Sequence, residues 1–290
     1  MHENTTTTTV EKPTVNLSDF ALFLSVMREK EAYHCVLSII LDEPDLEIMD
    51  VHVENVVLNK SGKRAIRLDA WAVDKLKRQF AMEMQNEIST DYIPKRARFY
   101  QSLIDSPVLK SGKRTKYREL PTTAIIFITQ DDLFGKDRAM YTFIEKCVEV
   151  EDLCLEDGTK KIFLNMSSKN GSDVLISLLQ YFKTSNLDNP DIIVRDERLE
   201  KLDSIVAEVK ESEEWEDLSM NLYQTGIIKG KAEGKVEGKA EFIIEILEDI
   251  GIVSDELRHK IMAEKDESIL SKWRKLATKA KGIDNFIDLM

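Results

Sequence analysis

The sequence has few of the features that mark secreted, disulfide-bonded or membrane-spanning proteins. Its 290 residues include three cysteines, Cys35, Cys147 and Cys154, which have no metal-site spacing and cannot all pair. No apolar run approaches the roughly 20 residues of a membrane span. The N-terminal stretch MHENTTTTTVEK has neither the basic segment nor the apolar core of a signal peptide. These absences predict a globular protein of the reducing cytoplasm.

Positive charge is also scarce, because 41 Lys and Arg face 53 Asp and Glu, for a net charge of −12. Taken alone, this balance argues against a polyanionic partner. The bases are unevenly distributed, however. Residues Pro94–Arg118 contain eight bases and one acid, whereas residues 190–217 contain eleven acids and four bases. Such segregation is typical of a basic cleft on an acidic body, and a solvated basic loop is the alternative.

The stretch Arg67–Glu87 predicts a β-hairpin, because apolar and polar residues alternate on both sides of a KLK turn. Residues two apart share a strand face, so Glu83 and Gln85 point the same way. A hairpin centred on Leu76 places Asp69 directly opposite Glu83, where like charges repel. A divalent cation such as Mg²⁺, which prefers carboxylate oxygens, would offset that repulsion. The alternative is an exposed hairpin with a solvated acidic face.

The first 190 residues alternate predicted helices with β-rich segments. TTAIIFIT at Thr122–Thr129 is nearly continuous in apolar and β-branched residues, which predicts a strand buried on both faces. The pattern indicates an α/β domain over residues 17–190, after a disordered Thr-rich tail at residues 1–16. The other predicted elements are a helix capped by Ser18 and running to Leu41, a strand at Glu47–Leu58, a helix at Pro94–Leu103, strands at Met140–Val150 and Lys161–Met166, and a helix at Ser172–Phe182.

Residues 191–290 are predicted to form a helical C-terminal region. Within it, the repeat GKAEGKVEGKAE places Gly226, Gly230, Gly234 and Gly238 four residues apart. A glycine costs a helix about 1 kcal/mol relative to alanine, but this spacing leaves a bare ridge on which another helix can pack closely. We therefore expect a homodimer through the C-terminal helices, with a flexible linker as the alternative. A small helical module follows, and Trp273 is expected to anchor its core.

Several segments together carry a family resemblance. The stretches RLDAWAVD, FAMEMQ, YIPKRARFYQSLIDSPVL, YRELPTTAIIFITQDDLFG, MYTFIEKC and KKIFLNM occur in an order and spacing similar to those of the PD-(D/E)XK nuclease family transposases, also described as recombination-promoting nucleases. The resemblance covers about Asp19–Tyr181. It implies a restriction-endonuclease-like core, a mixed sheet flanked by helices, and Mg²⁺-dependent cleavage of DNA, with Mn²⁺ as a substitute ion.

By position, the resemblance makes Asp69 and Glu83 the two acids of the motif and the ligands of the metal ion. Gln85 takes the catalytic place usually held by a lysine that positions or polarises the attacking water. A neutral amide lacks that charge, so we expect Gln85 to orient the water through its amide oxygen. A base from the following helix can supply the missing charge in space, and the candidates are Lys95 and Arg96.

The segment after the hairpin is predicted to bind DNA. Its bases lie on a helix that directly follows the proposed site, and Arg96 and Tyr100, four residues apart, share a face. Salt bridging is the alternative role. The predicted DNA-contacting residues are Lys95, Arg96, Arg98 and Tyr100. On the first predicted helix, Glu29 or Glu31 is a weaker candidate for an additional metal ligand, and a solvated charge is the favoured interpretation there.

Two functions therefore remain open from the sequence. The first is a metal-dependent DNA endonuclease acting in recombination, mobile-element or defence biology. The second is a nuclease-fold module that binds nucleic acid or protein and has lost its chemistry, for which Gln85 is the main support.

Overall fold

The computed structural model describes residues 14–57, 64–88, 91–109 and 116–290, and the side chains of all of these except 227–233. The Thr-rich tail predicted to be disordered lies outside the described residues up to position 13. The chain forms two compact units, Met1–Ser212 and Glu213–Met290. The boundary expected from the sequence lies at residue 190, whereas the helix at Glu197–Glu211 belongs to the first unit and packs against the helix at Lys30–Leu41.

The first unit is built on one six-stranded mixed sheet, which confirms the predicted fold class. Its order is β1-β2-β3-β4-β6-β5. Strands β1, β2 and β3 are antiparallel, β3, β4 and β6 are parallel, and the edge strand β5 is antiparallel to β6. Every residue of β4 is buried, as its apolar sequence predicts. The strands are β1 Ile48–Val57, β2 Ile66–Asp74, β3 Gln79–Gln85, β4 Thr123–Thr129, β5 Met140–Phe143 and β6 Thr159–Asn165.

Helices flank this sheet, and one of them positions the candidate site. Helix α3 carries the chain from β3 to its parallel neighbour β4, the crossover that parallel strands require. Its buried residues Ala97 and Tyr100 pack with Phe127 of β4 and Phe163 of β6. The first turn of α3 therefore lies beside the end of β3. The helices of this unit are α1 Phe20–Met27, α2 Lys30–Leu41, α3 Ile93–Asp105, α4 Asp173–Lys183 and α5 Glu197–Glu211.

Two predicted elements are wrong in their extent. The helix expected from Ser18 to Leu41 is two helices, since Glu29 is extended and α1 begins after Asp19 rather than Ser18. Both helices bury apolar faces, so the apolar periodicity continues across the break and conceals it. The strand expected at Met140–Val150 ends at Phe143, because β6 offers backbone partners to only these four residues.

The second unit begins with one long helix, α6, at Glu213–Glu248. The glycine repeat lies inside this helix, contrary to the linker alternative. A Cβ atom added at Gly226, Gly234 or Gly238 would meet no other atom within 4 Å. Trp273 packs in the core of the unit, as predicted. The remaining helices are α7 Asp255–Ala263, α8 Glu267–Ala277 and α9 Ile283–Leu289.

None of the helices in the described residues combines the length and the apolar character that crossing a membrane requires.

Candidate active site

The β2–β3 hairpin has the register that its alternation predicts. Ala70 pairs with Met82, and Trp71 pairs with Ala81. At the turn, the backbone N–H of Arg78 donates to the buried carboxylate of Asp74 at 2.7 Å, and its guanidinium contacts the same carboxylate at 2.6 Å. These contacts fix the turn, and with it the pairing of the two strands.

Beyond the Ala70–Met82 pair, side-chain carboxylates rather than backbone carbonyls accept hydrogen bonds from the backbone N–H groups of the two strands. The N–H of Asp69 donates to Oε1 of Glu83 at 3.0 Å, and the N–H of Met84 donates to Oδ2 of Asp69 at 3.0 Å. The two acids that the sequence placed opposite each other are thus brought together, and each is oriented by a backbone donor from the other strand.

Burial gives these two acids unusual electrostatics. Glu83 is fully buried and Asp69 is only 7% exposed. Desolvation is the largest cause that raises the pKa of both carboxyl groups above their ordinary values, and the charge of Asp69 raises the pKa of Glu83 further. Hydrogen bonds and a nearby arginine oppose this rise. Ionising both acids is therefore costly unless a cation lies beside them.

That arginine is Arg96, in the first turn of α3. Its Nη2 donates to Oε2 of Glu83 at 2.8 Å, its Nη1 donates to Oε1 of Gln85 at 2.7 Å, and its Nε donates to the hydroxyl of Tyr100 at 2.9 Å. The guanidinium also lies over the rings of Tyr100 and Phe127, 5.1 and 5.3 Å from their centroids. A planar group held by three hydrogen bonds and two ring contacts has a fixed orientation.

Both ends of the Gln85 amide contact protein groups, and its predicted role in orienting the attacking water stays a prediction. Its amide oxygen accepts from Arg96, and its amide nitrogen donates to the carbonyl of Glu87. Gln85 therefore holds the guanidinium in place. The charge absent from position 85 is present in space, carried by α3, as the sequence allowed.

Of the other predicted DNA-contacting residues, Lys95 and Arg98 lie on the outer side of α3, whereas Tyr100 is buried and accepts a hydrogen bond from Arg96. Lys95 is exposed, with its Nζ 5.3 Å from the centre of the Tyr92 ring. Arg98 is also exposed. Of the two candidates for the missing charge, Arg96 reaches the acids and Lys95 points to Tyr92.

The proposed additional ligand from the first helices is not supported. Glu31 is exposed and forms an ion pair with Lys201 at 3.6 Å, and Glu29 lies at the start of α2. Within the described ranges, no group of three or more His, Cys, Asp or Glu side chains is arranged to hold a metal ion.

The rim of the site includes an ion pair whose arginine the sequence reasoning did not assign. Arg67 on β2 contacts Glu54 on β1 at 3.2 Å, and both influence Asp69: Arg67 lowers its pKa and Glu54 raises it. A signal was present for Arg67, since it lies two residues before Asp69 on the same strand.

Comparison with known proteins identifies the family of this chain. A family model described as PD-(D/E)XK nuclease family transposase matches residues 19–225, which include the hairpin and α3. No curated protein and no solved structure gives a significant match. Since the family model covers more than half of the chain, the protein belongs to the PD-(D/E)XK nuclease family transposases.

Proposed function

We propose that this protein is a divalent-metal-dependent DNA endonuclease that hydrolyses phosphodiester bonds. Its active site would consist of Asp69, Glu83 and Arg96. The observation that carries the proposal is the buried pair of carboxylates joined to a guanidinium at 2.8 Å. Membership of a nuclease family implies a nucleic-acid substrate, and such nucleases generally use divalent ions.

The donor atoms of the site suit a hard cation. Asp69 and Glu83 offer carboxylate oxygens within one hydrogen-bonded unit. Mg²⁺ is commonly bound by one or two carboxylates, with water and substrate phosphate completing its shell. Two protein ligands are therefore sufficient for Mg²⁺, and we expect Mn²⁺ to substitute because it binds such sites more tightly.

Each residue then has a distinct task. Asp69 and Glu83 would hold the ion, which when bound offsets their repulsion and polarises the scissile phosphate. Arg96 directs positive charge at the phosphate oxygens as negative charge develops on them, which is electrostatic stabilisation by a preorganised donor. Gln85 and Tyr100 act as positioning residues for Arg96, since each holds one edge of its guanidinium.

The exposed bases on α3 contribute to binding rather than to chemistry. Lys95 and Arg98 carry their charges on the solvent side of the helix whose first turn reaches the site. Contacts of this kind go to the phosphate backbone and position the duplex without reading its sequence. We therefore expect cleavage with little base preference from this helix.

Nicking of supercoiled plasmid tests the proposal. The wild-type protein should convert plasmid to the open-circular form with Mg²⁺ or Mn²⁺ and fail to do so with EDTA. The Asp69→Ala variant should be inactive with either ion. Metal-independent nicking, or equal nicking by Asp69→Ala, would overturn the assignment.

The second candidate function is a nuclease-fold module that binds nucleic acid without cutting it. The observation favouring it is that Oε2 of Glu83, a proposed ligand atom, is already paired with Arg96. If that pair persists in the presence of Mg²⁺, the ion loses one ligand. DNA binding with no nicking at any divalent-ion concentration would favour this module over the nuclease.

We also propose that the protein is a homodimer through α6, in the reducing cytoplasm. The support is the open space over Gly226, Gly234 and Gly238, which permits another helix to approach closely, and the presence of three free cysteines. Light scattering should give a dimeric mass for the wild type and a monomeric mass for Gly234→Leu/Gly238→Leu. Alanine at the same positions is the milder control. A monomeric wild type would refute the dimer.

A further inference from the structure

One surface of the C-terminal unit has a charge opposite to that of the chain as a whole. The segment Lys272–Lys281 contains five bases and no acid, in a protein of net charge −12. It comprises the second half of α8 and the turn that leads to α9. All five bases are exposed: Lys272, Arg274, Lys275, Lys279 and Lys281. We call these five side chains the α8 basic surface.

These bases differ from three other bases of the same unit in what they contact. Lys235 and Lys239 of α6 both pair with Glu267, and Arg258 of α7 pairs with Glu248. Among the described residues, no ion pair involves any member of the α8 basic surface. The bases on α6 and α7 therefore form ion pairs within the unit, whereas the bases of the α8 basic surface are available to solvent or to a partner.

The arrangement along the helix is regular. Lys272, Lys275 and Lys279 follow one another at intervals of three and four residues, which places them on one side of α8 and its C-terminal turn. Trp273, Leu270 and Ala277 are buried against the rest of the unit, so this side faces away from the core. At about 1.5 Å of rise per residue, the three lysines span roughly 10 Å.

Interaction with the helix dipole explains the position of some of these bases. Cations near a helix C-terminus interact favourably with the helix dipole, and Arg274 and Lys275 lie in the last turn of α8. That effect falls off within one turn of the helix. It therefore gives no reason for Lys281, which lies more than one turn beyond the end of α8, or for the absence of any acid in the segment.

We propose that the α8 basic surface is a second DNA-binding site, which contacts the phosphate backbone of duplex DNA independently of the nuclease site. The proposal deepens the proposed function, on which it rests for the identity of the polyanion. Phosphates on one strand follow each other at about 3.4 Å along the helix axis. The three aligned lysines thus extend over about three phosphates. Charge complementarity calls for a polyanion, and the proposed nuclease function identifies that polyanion as DNA.

The test measures binding separately from cleavage. Fluorescence anisotropy of a labelled 30-base-pair duplex is recorded with the full-length protein in EDTA, from 50 to 200 mM salt. The variant is Lys272→Gln/Lys275→Gln/Lys279→Gln, and Lys260→Gln/Lys265→Gln, at two exposed lysines elsewhere in the unit, is the control. Circular dichroism melting establishes that both variants are folded.

We expect the triple variant to bind about tenfold more weakly at 100 mM salt. Its log–log salt slope should fall by about 2.7 units, since each lost phosphate contact removes about 0.9. The control should match the wild type. Equal affinity and slope in the triple variant would overturn the proposal, as would a change of oligomeric mass without a change in DNA affinity, which would assign the surface to self-association.

The two proposals fail in different ways. If the triple variant weakens binding while no protein nicks plasmid, the second DNA site stands and the nuclease assignment falls. If the wild type nicks plasmid and the triple variant binds DNA unchanged, the nuclease stands and the second site falls.

Discussion

Two glutamates of this protein are each held by cationic side chains, in very different surroundings. Glu83 of β3 is fully buried and is bound by Arg96 at 2.8 Å. Glu267 of α8 is 40% exposed at its side chain and is bound by Lys235 at 3.0 Å and Lys239 at 2.8 Å. By distance alone, the two arrangements are equivalent.

Their electrostatics are opposite. Burial is the first cause that raises the pKa of Glu83, whereas hydrogen bonding from Lys239 is the first cause that lowers the pKa of Glu267. In water, an exposed ion pair contributes little because solvent screens both charges. In the buried site, the same charges strongly affect one another and any ion or phosphate placed beside them. Burial, rather than the presence of an ion pair, therefore distinguishes the candidate site at Glu83 from the interhelical ion pairs at Glu267.

The largest expected difference between the two glutamates is in activity. We expect Asp69→Ala and Glu83→Ala to lower the plasmid-nicking rate by at least about a thousandfold, because loss of a ligand removes several kcal/mol of metal-ion stabilisation. Glu267→Ala should nick at the wild-type rate. Wild-type nicking by either site variant would end the comparison.

The stability of the two clusters should also differ. Arg96→Ala removes three hydrogen bonds and two ring contacts from a buried carboxylate site, so we expect unfolding free energy to fall by about 3 kcal/mol. Lys239→Ala, which removes one partner of an exposed pair, should be close to wild type. Urea denaturation measures both. Equal effects would mean that burial does not distinguish the clusters.

Substitution of Gln85 sharpens the role of Arg96. Gln85→Ala removes the acceptor that holds Nη1 of Arg96, so the nicking rate should fall about tenfold through loss of orientation. The resemblance to the family suggests that Gln85→Lys restores a familiar residue. The structure predicts a greater loss for it than for alanine, because an ammonium group would be placed beside the guanidinium. Activity of Gln85→Lys above wild type would contradict the positioning role.

The smallest expected effect is the pH dependence of stability without metal. Because the folded-state pKa of Asp69, about 6, lies above its unfolded value, the folded state binds more protons between about pH 4 and that folded pKa. Stability should therefore fall as the pH rises through this window. Asp69→Asn should make the urea midpoint less sensitive to pH. The urea midpoint of Glu267→Gln should fall with rising pH in this window as it does in the wild type. The pKa of Glu267 is shifted downward, so its own contribution to stability is lost as the pH falls, not as it rises. An unchanged pH dependence in Asp69→Asn would argue against a raised pKa.

Features of this structure that depend on local interactions along the chain could be predicted from the sequence. Alternation around the KLK turn was sufficient for the hairpin register and for bringing Asp69 to Glu83. The all-buried strand β4 followed equally well from its apolar run. The periodicity of apolar residues and the residues of the turn determine these features, so the sequence alone predicts them.

Features that depend on packing between distant segments were less predictable. The role of Gln85 could not be read from β3 alone, because its partner Arg96 comes from the next helix. The break at Glu29 was hidden by apolar residues on both sides. The strand after Phe143 was overestimated because a β-rich sequence forms a strand only where a neighbouring strand supplies partners.

The proposed role of Arg96 is to supply the positive charge that position 85 lacks. The most direct test is the single-turnover cleavage rate of a labelled duplex at saturating Mn²⁺, compared among wild type, Arg96→Lys and Arg96→Gln. We predict that Arg96→Gln is slower by about a hundredfold, the scale of one lost transition-state donor, and that Arg96→Lys recovers at least about tenfold of that loss. Cleavage by Arg96→Gln at the wild-type rate would show that Arg96 does not supply this charge.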